Sequence, residues 1–196
     1  MTMRKDRVAV LVGPGLLMVA LIWGSSFPIG KVCLESFPPL LICAIRCIIS
    51  AAILFPFINK KLKLCSKKDI LRGLTLGICF FFAYILQVIG LQFTASSKQA
   101  FLAALYVIMV PFLYWMLYKK NPDVYNLIAA AIMLPGIYLL TVTGVSGFTK
   151  GDSLTLISTC FFAVHILMIG AYVKKTDAIL LTFFQFAVSG LMAAIV

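Results

Sequence analysis

Several polar side chains lie inside long apolar runs of this chain, where they could bind a small solute. Arg46 is the one charged residue well inside such a run, and His165 is the single histidine. A charged side chain near the centre of a membrane helix costs about 2.5–3.5 kcal/mol on insertion scales, so it usually faces a bundle interior or water. The pattern predicts that a polar or anionic solute is recognised by these candidates: Trp23, Ser25, Ser26, Arg46, Tyr84, Gln87, Gln99, Tyr106, His165 and Gln185.

Each of these candidates has a structural alternative to a binding role. Arg46 could anchor a carboxylate, or it could bond helix carbonyls and extend to the nearer interface. His165 could relay a proton, because imidazole titrates near physiological pH, or it could be a hydrogen-bonded packing residue. For the others, a place in the wall of a polar cavity is weighed against a bond between helices or simple packing. Lys98 is expected to be solvated at the outer end of its helix, with attraction of anions to an outer vestibule as the alternative.

The elements that must position these residues are seven apolar runs, each close to the roughly 20 residues that cross a bilayer core. With 63% hydrophobic and 12% charged residues, the chain differs from soluble domains, where charged residues approach a quarter. Backbone polar groups in lipid must bond within a helix or a closed barrel, and runs this long favour helices. The sequence predicts an all-α polytopic membrane bundle with spans Val8–Ile29, Pro39–Ile58, Ile70–Phe93, Gln99–Tyr118, Val124–Thr143, Leu154–Val173 and Ala178–Val196.

The basic residues predict how these spans are oriented. If the N-terminus is inside and the spans alternate, thirteen basic residues fall inside and three, Lys31, Lys98 and Lys150, fall outside. This asymmetry is the positive-inside pattern and predicts a multi-pass protein of the cell membrane with a cytoplasmic N-terminus. The net charge of +11 therefore gives no reason to expect nucleic acid. The basic loop Asn59–Asp69 could touch anionic lipid head groups, although a topology determinant is the simpler interpretation.

Two other classes of membrane protein fit the sequence less well. An intramembrane enzyme needs titratable groups within reach of one another, yet all six acidic residues lie in tails, loops or span ends. The six cysteines show no CxxC spacing, so neither a metal centre nor a disulfide framework is indicated, and no cofactor is expected. A seven-helix receptor would want an outside N-terminus, against the charge pattern.

A weak internal repeat divides the chain into two parts. The segment beginning at Trp23 is repeated in pattern from Phe162, an offset of 139 residues that places Gln185 at the position of Arg46. Five spans fill one period, so the second copy enters the membrane from the opposite side, as in inverted-repeat transporters, whose solute site lies between the repeats. We therefore expect a first repeat at 1–148 and a partial second repeat at 149–196, with roughly 95 further residues needed to complete it.

Several segments, in order along the chain, resemble EamA-type carriers of the drug/metabolite transporter superfamily. These segments are Trp23–Phe27, Gly90–Ser97, Phe101–Pro111, Gly136–Leu140, Gly151–Asp152 and Phe162–Ile166. The resemblance implies ten helices in two inverted five-helix halves, of which this chain supplies seven. It also implies a secondary transporter that exports or exchanges small amino-acid-like or drug-like metabolites by alternating access. A proton or a counter-substrate as coupling partner, and a homodimer, are compatible with this interpretation.

Overall fold

The chain is almost entirely helical, as the apolar runs predict. The computed structural model describes residues 2–119, 121–142 and 147–196, and within these ranges the secondary structure consists of helices without strands. The all-α prediction is confirmed. The helices are α1 Thr2–Cys33, α2 Pro39–Leu62, α3 Lys67–Gln92, α4 Ser96–Ala103, α5 Tyr106–Tyr118, α6 Val124–Val142, α7 Lys150–Tyr172 and α8 Ala178–Ile195.

Most of the predicted spans coincide with helical segments that are long and apolar enough to cross a bilayer. Among the described residues there are six such segments, Gly13–Cys33, Pro39–Asn59, Lys67–Gln92, Ser96–Tyr118, Lys150–Tyr172 and Ala178–Ile195. The predicted fifth span, Val124–Thr143, corresponds to α6, in which Val124–Met133 is a shorter apolar segment; Thr143 itself lies outside the described residues. The protein is thus a polytopic, multi-pass membrane bundle.

The predicted fourth span, Gln99–Tyr118, is not one continuous helix. Its backbone changes from the α pattern to tighter bonds at Ala104 and Leu105, where Leu105 N–H donates to Leu102 and Val107 N–H donates to Ala104. Both residues keep right-handed helical angles, so the chain turns more tightly without leaving the span. Such 3₁₀-type turns often connect helical pieces. The predicted span is confirmed as Ser96–Tyr118, and within it the chain forms two short helices, α4 and α5.

Helix α3 lies at the centre of the packing and contacts both α7 and α8, while α2 packs along α8. Glycines allow this close approach, since a Cβ added at Gly77 would lie 2.6 Å from the Cβ of Val188 on α8. Near the other end of α3, the backbones of Gly90 and Gly151 are similarly close. Small residues at such crossings let membrane helices pack tightly. The helices of the 149–196 segment therefore pack against those of the 1–148 segment.

Antiparallel α3 and α7 are joined at both ends by the aspartates that cap them. Each helix starts with a capping box, formed by Ser66 with Asp69 in α3 and by Thr149 with Asp152 in α7. Each aspartate also accepts from a threonine just beyond the end of the other helix: Thr94 Oγ1 to Asp152 Oδ1 is 2.7 Å. The equivalent bond from Thr176 to Asp69 is 2.5 Å. Each aspartate therefore caps the start of one helix and also binds the chain just beyond the end of the other.

Helix α1 has a looser attachment than the other long helices. Its described side chains from Gly13 to Gly24 are exposed. Its main polar tie is Lys31, whose ammonium donates to the carbonyls of Leu91, Gln92 and Thr94 at 2.5, 3.0 and 3.0 Å. These acceptors include carbonyls at the C-terminal end of α3, which a helix leaves without intrahelical partners and which attract cations. The lysine therefore holds α1 to the end of α3.

Candidate functional site

Four of the predicted residues, Arg46, Tyr84, His165 and Gln185, are linked through the stacked rings of Phe80 and Tyr84. Tyr84 follows Phe80 by one turn of α3, and their rings stack with centroids 5.6 Å apart. The Arg46 guanidinium lies 5.2 Å from the Tyr84 ring centroid, the ring centroids of His165 and Phe80 are 5.4 Å apart, and Gln185 bonds to His165. These five residues form what we call the central cluster, which joins α2 and α3 to α7 and α8.

His165 and Gln185 are bonded to each other inside this cluster. His165 Nε2 and Gln185 Oε1 are 3.0 Å apart, and the two side chains are only 5% and 8% exposed. With the amide oxygen as acceptor, Nε2 carries the proton, and the bond ties α7 to α8. This is the hydrogen-bonded packing role considered for His165; its lining of a solute cavity stays a prediction.

Arg46 and Tyr84 differ from that pair because each keeps unused hydrogen-bonding capacity. The Arg46 side chain is exposed, and among the described residues it is in no ion pair. The Tyr84 hydroxyl is buried and makes no hydrogen bond of good geometry in the described chain, although the Arg46 guanidinium lies beside it. An unsatisfied buried polar group costs about 1–3 kcal/mol. A guanidinium and a hydroxyl together can donate to one carboxylate, so this edge of the cluster is suited to an anionic solute group.

The rings around Phe80 add an apolar wall to the site. Phe162 of α7 and Phe186 of α8 meet Phe80 edge-on, with centroids 6.1 and 5.5 Å away. Edge-to-face aromatic pairs are worth about 0.5–1.5 kcal/mol beyond the area they bury. The sequence did not single out these phenylalanines, because aromatic residues are common throughout its spans. The four-residue spacing of Phe80 and Tyr84 was the available signal, since it places both rings on one face of α3.

Gln87 and Gln99 belong to a second polar group between α3, α4 and α7. The fully buried Gln99 donates its amide to the Gln87 carbonyl at 2.6 Å and to Thr155 Oγ1 at 3.1 Å. Thr155 in turn donates to Gly151. The side-chain oxygen of Gln99 is buried without a partner in the described chain. Gln99 therefore links helices, as one alternative expected, while Gln87 contributes its backbone carbonyl to this link.

The candidates on α1 and α5 are not brought into the central cluster by any of its contacts. Trp23 is 61% exposed. Ser25 and Ser26 donate to the carbonyls of Ile22 and Trp23, 3.0 and 2.6 Å away, which is the local back-bonding common for serine in helices. Tyr106 is half-buried at the start of α5. A binding role for these four residues stays a prediction.

Lys98 was expected to be solvated, and this expectation is wrong. Its ammonium is buried and lies 2.6 Å from Asp152 Oδ2, in a salt bridge whose side chains are 5% and 0% exposed. It also donates to the Gly147 carbonyl. A buried lysine needs a partner because desolvation strongly disfavours an isolated charge. The Thr149-x-x-Asp152 capping box was readable in the sequence, but its pairing with a lysine 54 residues away was not.

Outside the spans, a second ion pair joins α2 to the turn before α8. Lys61 Nζ lies 2.6 Å from Asp177 Oδ2, and the two side chains are 38% and 44% exposed. The Asp177 carboxylate also accepts from the backbone N–H groups of Ile179 and Leu180, so it caps α8. The hydrogen bond from Lys61 is the main reason why the pKa of Asp177 lies below its usual value.

Comparison with known proteins finds similarity to membrane transporters. Residues 12–142 match the EamA-like transporter family. An uncharacterized transporter of Archaeoglobus fulgidus is 36% identical over 171 residues, which cover 87% of this chain and 53% of that protein. An uncharacterized protein of Haemophilus influenzae is 28% identical over 110 residues, covering 55% of this chain and 84% of that protein. No solved structure gives a significant match.

The chain thus spans about half the length of its Archaeoglobus relative. The family match nevertheless covers well over half of the chain, from α1 to the end of α6. The resemblance seen in the sequence motifs is confirmed, and the superfamily assignment is supported with it. The protein belongs to the EamA-like transporter family.

Proposed function

We propose that this chain acts in a secondary transporter that moves small amino-acid-like or drug-like metabolites across the cell membrane by alternating access. The observation that supports this most directly is the unused hydrogen-bonding capacity of the central cluster. Arg46 has no acidic partner in the described chain, and the Tyr84 hydroxyl beside it is buried without a hydrogen bond of good geometry. In the solute complex, Arg46 donates to a carboxylate, Tyr84 donates to the same group, and the phenylalanine rings contact the apolar part of the solute.

The position of the cluster supports alternating access. Its residues come from α2 and α3 on one side and from α7 and α8 on the other, which are the segments assigned to different inverted repeats. In transporters of that design the solute site lies where the repeats meet, and one repeat moves against the other around it. The affinity for a solute held by Arg46 and by groups on α7 and α8 would therefore depend on the relative position of the two halves. The N-terminus lies in the cytoplasm, and a proton or a counter-solute drives transport.

The same residues favour transport over catalysis. His165 is bonded to an amide, not to an acid or a nucleophile. Three of the six acidic residues, Asp69, Asp152 and Asp177, are used in helix caps and ion pairs. General acid–base catalysis requires such groups within hydrogen-bonding reach of a reacting atom. We therefore assign no reaction to the chain.

The experiment is solute uptake by proteoliposomes that contain the purified protein. A panel of labelled amino acids, organic acids and amines identifies transported solutes, and Arg46→Gln is then compared with Arg46→Lys. Hydrogen bonds to charged groups contribute about 1.5–3 kcal/mol, so we expect Arg46→Gln to weaken carboxylate binding at least tenfold and Arg46→Lys to restore part of it.

Lys150→Gln serves as the control, because Lys150 is an exposed cation at the start of α7. It should leave uptake unchanged. Uptake of no solute above protein-free vesicles would contradict the transport proposal. Equal uptake by wild type and Arg46→Gln would contradict the role of Arg46 alone.

A further inference from the structure

The packing of α2 against α8 leaves an apolar groove on one side. Its volume is about 290 Å³, and it is lined by Ile48, Ala51, Ala52 and Phe55 of α2 and by Phe183, Ala187 and Leu191 of α8. Phe55 and Phe183 meet at one end, with ring centroids 6.2 Å apart. A site with an entirely hydrocarbon lining suits a hydrocarbon chain and offers nothing to a polar solute.

The groove does not belong to the central cluster. Phe55 follows Arg46 by nine residues, which at 3.6 residues per turn places the two on opposite faces of α2. On α8, Ala187 follows Gln185 by two residues, which again turns it to the far side of the helix. The central cluster and the groove therefore lie on opposite sides of the α2–α8 pair. The groove faces away from the helices that contribute Tyr84 and His165.

The same face of α2 continues from the groove to a cationic surface. Asn59 and Lys63 follow Phe55 by four and eight residues, so they extend its stripe to the end of the helix. Lys63 is exposed, and so are Lys67 and Lys68 at the start of α3. None of these three lysines forms an ion pair with another residue that the structure describes. Lys61, by contrast, lies on another face of α2 and is paired with Asp177.

The spacing along α2 matches the depth of one membrane leaflet. Ile48, at the deep end of the groove, precedes Lys63 by fifteen residues, or roughly 22 Å at 1.5 Å per residue. Half of a bilayer, including its head-group region, is about 20–22 Å thick. A phosphate at Lys63 would thus place the acyl chain of the same lipid beside Phe55 and its end near Ile48.

We propose that the α2–α8 groove binds one acyl chain of an anionic phospholipid whose head group contacts Lys63, with Lys67 and Lys68 adding to the local positive charge. Lipid tails are as apolar as the groove, so hydrocarbon contact alone distinguishes no lipid class. Preference comes from the lysines, and the contribution expected of one lysine near an anionic surface corresponds to about a fivefold change in affinity. The lysines therefore select lipids by head-group charge, and the groove holds the acyl chain because its shape fits one.

The test measures lipid retained by the purified, delipidated protein in native mass spectrometry. Phosphatidylglycerol and phosphatidylcholine with identical acyl chains are added in turn. We expect tighter binding of phosphatidylglycerol, a loss of about fivefold with Lys63→Gln, and no change with Lys150→Gln, which removes an exposed lysine from the start of α7. Ala187→Phe fills the groove at constant charge and should lower the binding of both lipids.

Three results would overturn the proposal. Equal binding of the two lipids to the wild type would remove the role of the lysines. Equal effects of Lys63→Gln and Lys150→Gln would show that net charge, and not this surface, governs binding. A dimer in the wild type that Ala187→Phe converts to a monomer, with lipid binding unchanged, would assign the groove to a second copy of the chain. Helix content measured by circular dichroism verifies that each variant is folded.

Discussion

Replacing Asp152 by Asn should destabilise the protein more than any other single loss of an ion pair seen in the described chain. The Asp152 side chain is fully buried and accepts from Lys98 Nζ at 2.6 Å, from Thr94 Oγ1 at 2.7 Å and from the backbone N–H of Thr149 at 2.7 Å. Removing one partner of a buried pair leaves the other charge desolvated and costs about 3–5 kcal/mol. Because asparagine keeps one acceptor oxygen, we expect a loss near 3 kcal/mol, at the lower end of that range.

Thermal unfolding in detergent provides the assay. For a chain of this length, 1 kcal/mol corresponds to a shift of about 2–4 °C in Tm, so Asp152→Asn should lower Tm by roughly 6–12 °C. The matched control is Asp177→Asn, which removes a carboxylate with the same 2.6 Å lysine contact in a pair that is 38% and 44% exposed. Exposed pairs contribute about 0–1 kcal/mol, so this variant should shift Tm by a few degrees at most.

A double variant distinguishes the loss of the attraction between Lys98 and Asp152 from the cost of leaving the Lys98 charge buried and unpaired. Lys98→Met combined with Asp152→Leu removes both charges, and replacing both partners of a buried pair by apolar residues is often neutral or stabilising. We expect it to recover part of the Tm lost in Asp152→Asn, although the capping bond to Thr149 is still absent. If Asp152→Asn lowered Tm no more than Asp177→Asn, the burial-based reasoning would be refuted.

Three further predictions concern packing, pH and topology. Gly77→Ala should lower Tm by several degrees, because its Cβ would lie 2.6 Å from a valine on α8 and overpacking costs about 1–3 kcal/mol. Gly170→Ala is the control, because a Cβ there would meet no described atom within 4 Å apart from its chain neighbours and its own helix backbone. The pKa of Asp177 is lowered mainly by its lysine partner, so its contribution to stability is present above the usual aspartate pKa and is lost as pH falls through the lowered value. The Tm difference between wild type and Asp177→Asn should therefore disappear in acid, and a difference that persists would contradict this. Cysteines placed at Lys63 and Lys150 should react with an impermeant maleimide from opposite sides of the membrane, Lys63 from the cytoplasm; the reverse pattern would overturn the orientation.

The sequence was sufficient for the helices because run length and hydropathy decide what can cross a bilayer. It was not sufficient for the turn at Ala104 and Leu105, since a change from i−4 to i−3 bonding needs neither glycine nor proline and leaves no residue signature. Lys98 shows a different difficulty. A lysine beside the end of a span is usually solvated, and only the fold shows that Asp152 lies within reach.

The central cluster was partly predictable for a related reason. Arg46, His165 and Gln185 stood out because polar groups are costly in lipid, and the structure brings them to one place. Trp23, Ser25 and Ser26 carried similar weight in the sequence, yet local hydrogen bonds to their own helix already satisfy the two serines. Polarity thus indicated which residues need partners, whereas the packing of α3 against α7 and α8 determined which of them meet.

Tyr84→Phe distinguishes a solute-binding hydroxyl from a structural one, because the two roles predict opposite changes in stability. The Tyr84 hydroxyl is buried without a hydrogen bond of good geometry in the described chain, and Arg46 beside it offsets part of the cost of about 1–3 kcal/mol for an unsatisfied group. Its removal should therefore leave Tm unchanged or a few degrees higher. If the hydroxyl donates to a solute, the same change should weaken solute binding by roughly tenfold, the equivalent of about 1.4 kcal/mol. Tyr125→Phe, at an exposed phenol on α6 that is not among the candidate binding residues, is the control for the loss of a phenol. A lower Tm together with unchanged solute affinity would mean that Tyr84 bonds within the protein, and the proposed carboxylate site would then rest on Arg46 alone.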